Sequence, residues 1–176
     1  MDNSPLALSL ASMRARITRV LPVQVRECLA QLSDEQIWWR PNESSNSVGN
    51  LVLHLSGSLN HYLNKLIGGL SYDRNREQEF AERKQIPRDE LVAIFDDMVA
   101  NADKTFDSLT LERLGDPSPE PRMYTLLIED LLGILTHIST HTGQIIWITK
   151  LQTGGGLDDL WMKAHKEQGG WVKKKA

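Results

Sequence analysis

Five histidines carry the most specific chemical signal in this 176-residue chain. His137 and His141 stand four residues apart. On a helix that spacing leaves them about 40° apart around the axis and roughly 6 Å along it, so both imidazoles can turn toward one ion. Zinc, nickel and iron accept neutral imidazole, and a catalytic site commonly takes three protein ligands and keeps one position for water or substrate. The third ligand must then come from another helix. His54 and His61 share one side of an earlier helix, but two turns, about 10 Å, separate them and prevent both from ligating the same ion. His54 is the candidate, because Leu51, Leu55 and Leu59 place it at mid-height, whereas His61 lies nearer a charged loop. His165 reads as a surface residue. Spacing alone also permits a plainer reading, in which His137 and His141 are two more polar residues beside Thr136, Ser139, Thr140 and Thr142. The environment favours a metal: residues 131–149 carry no formal charge, and an ion with outer hydrogen bonds satisfies four ring nitrogens at once.

Gly143 and Gln144 follow the pair. A glycine inside a helix costs about 1 kcal/mol against alanine, so its use is close approach of another helix or a ligand; at Gly57 and Gly133 plain packing is the favoured cause. Gln144 can hydrogen-bond a ligand histidine or a backbone carbonyl.

The rest of the composition works mostly by exclusion. The single cysteine, Cys28, allows no internal disulfide and no cysteine-rich metal centre. A net charge of -3 with both signs dispersed is no footprint for nucleic acid. Residues 131–149 are too polar for a membrane span. The opening residues lack the pattern of a signal peptide, so the cytoplasm is the expected location.

Helical periodicity supplies the elements that must position these side chains. Leu6 to Leu32 repeats apolar residues at three- and four-residue steps, with a kink or a fresh start expected at Pro22. Ser33 to Gln36 has the form of a capping box and predicts one short turn. Ser47 is placed to cap a second helix over 48–67, and Gly68-Gly69 ends it. The charged stretch 71–85 reads as a long loop with at most a helical turn. A third helix is expected over 88–109 and a fourth over 123–151, closed by three glycines. Beyond these, 157–168 can form a short helix capped by Asp158, and 169–175 reads as a mobile tail. The expected fold is all-α, a four-helix bundle over residues 1–156 with a C-terminal extension over 157–176.

These residues resemble the DinB/YfiT-like family of metalloenzymes. The likeness rests on Trp38-Trp39-Arg40-Pro41, on the run Asn46 to Leu55, on Asp73-Arg74-Asn75-Arg76 with Glu79-Phe80, and on His137 to Ile145, and spans about residues 15–152. The resemblance implies a four-helix bundle with three metal-ligating histidines, here His54, His137 and His141. It also implies nickel or zinc, a homodimer, and in some relatives a low-molecular-weight thiol as co-substrate.

An open metal position would bind a thiol as thiolate or a water as hydroxide and present it to a small electrophilic substrate. Glu129 and Asp130 are the candidate proton donors, Asp130 the better placed because it lies seven residues before His137 and so on nearly the same face; the alternative for both is a favourable charge in a helix's opening turns. Arg74 and Arg76 could hold a substrate carboxylate or a cofactor's acidic groups, or simply pair within a solvated loop with Asp73, Glu77 and Glu79. Adjacent Trp38 and Trp39 cannot both face one core, so one should plug the bundle end and the other line a pocket mouth or a dimer contact. Three functions follow: a metal-dependent thiol transferase, a hydrolase using metal-bound water, and a non-catalytic helical protein that binds a metal or ligand or dimerises.

Overall fold

A computed structural model describes residues 4–166. Among these the protein is all-α, with no strand and only an isolated antiparallel bridge between Pro117 and Leu126. No helix among the described residues is long and apolar enough to cross a membrane. The C-terminal stretch expected to be a mobile tail lies outside the described residues.

The first long helical stretch comprises α1 (Pro5–Ala15), a π-helical turn (Arg16–Val20) and α2 (Leu21–Gln31). Pro22 stands in the first turn of α2, as the expected fresh start near it requires, but the helical path is not broken. The widened turn just before the proline, in which the Leu21 N–H reaches back five residues to the Arg16 carbonyl, absorbs the missing donor and lets the helix continue. The capping boxes at Ser33 and Ser47 both form, starting α3 (Asp34–Trp38) and α4 (Val48–Leu59). α4 runs on into a second π-helical turn, Asn60–Lys65, where Asn64 donates to Asn60 Oδ1 and to the Met98 carbonyl.

Within the charged stretch, α5 (Arg76–Ala81) is capped by the Asn75 side chain and packs against α4. It is followed by α6 (Arg88–Asp107) and α7 (Leu127–Thr153). α7 starts four residues later than periodicity suggests. The Glu129 carboxylate takes the N–H groups of Thr125 and Leu126, while the Ser118–Thr125 and Pro117–Leu126 pairings hold residues 117–126 in a non-helical path. Gly154 ends α7 at φ 71, a conformation that favours glycine. The last described helix, α8 (Leu160–His165), has Asp159 at its N-cap without a capping bond, so Asp158 does not play that part. Leu160 and Ala164 are buried, and α8 lies against α2.

The four long stretches share one core in which Ile17, Leu55, Phe95, Leu131 and Ile138 are fully covered. The free thiol of Cys28 lies there too, and burial pushes it up to about 11, far from reactivity. Trp38 packs against the start of α4, where a Cβ on Gly49 would come within 2.9 Å of its ring, and its indole donates to the Ile86 carbonyl. Trp39 is exposed and borders no part of the cleft described below.

Candidate metal centre

α4 and α7 face each other, and their packing brings His54, His137 and His141 together. One candidate ligand atom from each ring lies within 4.8 Å of the others. The rings stand edge to face, with centroids 4.6 to 5.0 Å apart. His54 is buried among the leucines that place it on α4; His137 and His141 are half-buried.

Hydrogen bonds orient two of the three rings. Glu79 Oε2 sits 2.9 Å from His54 Nδ1, and Gln144 Oε1 lies 2.7 Å from His141 Nδ1. An acceptor at Nδ1 selects the tautomer with its hydrogen there and leaves Nε2 as a lone pair. His54 Nε2 then faces His137 Nε2 at 3.0 Å. Burial, with His141 and His54 adding to it, pushes His137 down to about 4; burial likewise lowers His141. The two α7 histidines are therefore neutral imidazoles at pH 7, the form that ligates.

Glu79 belongs to a buried set that sequence reasoning missed. Arg74 donates to both of its oxygens, at 2.7 and 2.9 Å, and also approaches His54 Nδ1 at 3.4 Å. Burial alone would raise the Glu79 carboxyl, but the bonds from Arg74 and His54 outweigh it and hold the group below its ordinary value. The pairing of Arg74 with Glu79 thus exists as a buried support for His54, not as a solvated loop contact. Gly57 was the available signal. A Cβ there would collide with the Glu79 carboxylate, so the glycine admits that side chain against α4. At Gly133 a Cβ would meet the Tyr124 hydroxyl, whereas nothing approaches Gly143, which faces open space.

The triad lies on the wall of a cleft of about 560 Å³, the size of a small-molecule site. Asp130, Arg74 and Arg76 border the same cleft, as do Phe80 and Tyr124. Asp130 is buried and its Oδ2 finds no hydrogen-bond partner; burial, with Glu129 and Glu120 nearby, raises its carboxyl against the opposing effect of Ser118. Both acids lie in the first turn of α7, but only Glu129 takes the backbone N–H groups there. His61 is half-buried away from the triad, and His165 hydrogen-bonds the Trp161 carbonyl on α8.

Residues 7–162 match the model of a family described as a protein of unknown function, DUF1572. The chain belongs to the DUF1572 family. No match was found among curated proteins. All three histidines of this DUF1572 protein fall within the matched span, as do Glu79, Arg74 and Gln144.

Proposed function

We propose that His54, His137 and His141 hold a divalent transition metal, nickel or zinc, and that the protein is a metal-dependent enzyme with the four-helix bundle of the DinB-like family, transferring a low-molecular-weight thiol to a small electrophilic substrate. One observation carries the reading: three imidazoles converge on a cleft wall, and two of them are held by oxygen acceptors at the nitrogen that faces away. The donor set fits the metal. The acceptors at His54 Nδ1 and His141 Nδ1 leave both Nε2 lone pairs free for an ion, and His137, with no acceptor fixing its Nδ1, can turn its own Nε2 lone pair toward the same point. Such an ion supplies Lewis-acid charge that lowers the pKa of a thiol or a water.

The protein's own groups do the rest. Glu79, clamped by Arg74, fixes the His54 ring plane and its tautomer, and Gln144 does the same for His141. The walls of the cleft restrict water around the reacting end of a ligand. Asp130 is the candidate proton donor. The homodimer belongs to the same proposal, and the exposed Leu132, Trp147 and Leu151 on α7 offer an apolar face for it.

Conjugation of monobromobimane or chlorodinitrobenzene, assayed across several small thiols with metal-loaded protein, tests the transferase. Turnover that depends on one thiol and is lost in His137→Ala supports it. Ester hydrolysis that proceeds without any thiol replaces it with the hydrolase.

A further inference from the structure

Two guanidinium groups border the cleft beside the triad, and they are not equivalent. Arg74 is half-buried with its fork on Glu79. Arg76 forms no ion pair and no hydrogen bond among the described residues, although Asp73, Glu77 and Glu79 flank it in sequence. Its guanidinium carbon lies 5.1 Å from the centroid of the Phe80 ring, and that ring, tilted by 35°, has its centroid 4.5 Å from that of His54. A guanidinium over an aromatic face keeps its N–H edge for an acceptor in its own plane, and the fork matches a carboxylate. The platform under Arg76 is thus also the neighbour of the triad.

Two carboxyls, Glu120 and Asp130, border the same cleft, and neither pairs with Arg76 among the described residues. Glu120 has Arg122 at 3.8 Å, and the Asp130 carboxyl is buried without a cation near it. Phe80, Tyr124, Met123 and Ile134 supply an apolar wall that an inorganic anion would leave uncovered. An organic anion covers both features at once.

We propose that the cleft takes a small organic acid, its apolar body against Phe80, Tyr124 and Ile134 and its carboxylate on the Arg76 fork, which makes Arg76 the residue that selects the ligand's charge. This rests on the proposed function only for what the histidines do to such a ligand.

The test is calorimetric titration of the full chain, zinc-loaded and EDTA-stripped, with 3-phenylpropanoate, its uncharged analogue 3-phenylpropanamide, and inorganic phosphate. In both forms the acid should bind at least about five-fold tighter than the amide, the range expected of a partly exposed charge-assisted contact. Arg76→Gln should make acid and amide equal without changing the zinc content. Arg76→Lys should restore only part of the preference, because an ammonium lacks the fork. Equal binding of acid and amide by the wild type, a preference that survives Arg76→Gln, a preference seen only with zinc present, or phosphate binding as tightly as the acid each overturns the proposal, as does a failure of the acid to bind. The stripped form separates the two readings. Protein that never takes up metal but prefers the acid contradicts the proposed function alone, and stoichiometric zinc without that preference contradicts the Arg76 assignment alone.

Discussion

Removing the Glu79 carboxylate should damage stability and metal binding together, and the two losses can be separated. Its side chain is 8% exposed and that of Arg74 is 9%, so Glu79→Ala leaves a guanidinium stranded and unpaired. Breaking one partner of a buried pair costs about 3–5 kcal/mol. For a chain of this size each kcal/mol moves the melting temperature by about 2–4 °C, so a fall of roughly 10 °C is expected by differential scanning calorimetry. The same substitution frees His54 Nδ1, and loss of such an orienting partner typically lowers metal affinity about 10–100-fold. The double variant Arg74→Met with Glu79→Leu distinguishes the effects. Apolar replacement of a buried pair is often neutral or better, so its melting temperature should return close to the wild-type value while its zinc affinity, measured by competition with a chromogenic chelator, stays low. The reasoning is refuted if Glu79→Ala melts within about 2 °C of wild type, or if the double variant binds zinc as tightly as wild type.

Other perturbations have equally definite expectations. Gly57→Ala should weaken zinc binding by displacing Glu79, whereas Gly143→Ala, facing open space within α7, should stabilise the fold by roughly 0.5–1 kcal/mol in urea denaturation. In metal-free protein, His137 should stay neutral down to about pH 4 in an NMR titration. A folded value below the unfolded one means that the unfolded chain takes up the proton first, so stability should fall between about pH 6.5 and 4, less steeply in His137→Gln. Asp130 has the opposite sign. Its raised carboxyl loses stability as pH rises, so Asp130→Asn should melt above wild type at pH 7, with the gap closing in acid.

The helices were legible because their information is periodic and local. The Ser33 and Ser47 caps and the glycine stop at Gly154 each need only a few neighbouring residues, and the structure places all three as expected. The grouping of His54 with His137 and His141 was legible for a related reason, since the i, i+4 spacing fixes a helix face and the surrounding leucines fix which side of α4 is covered. What escaped the sequence depends on contacts between elements. Glu79 sits in a run rich in charge, and nothing local distinguishes an acid that will pack on Gly57 from one that stays in water. Asp130 and Glu129 are adjacent acids at a helix start, and only the path of residues 117–126 decides that Glu129 takes the backbone donors while Asp130 turns inward. Pro22 marked the start of α2, but the π-helical turn that joins it to α1 was not legible, because it depends on the packing of a whole helix.

The three-histidine site is tested most directly by metal content. Wild-type protein, expressed in medium supplemented with nickel and zinc and then desalted, should carry close to one ion per chain by inductively coupled plasma mass spectrometry. His54→Ala, His137→Ala and His141→Ala should each fall to background while retaining the helical circular dichroism spectrum of the wild type. A wild type without stoichiometric metal, or alanine variants that keep it, would contradict the assignment.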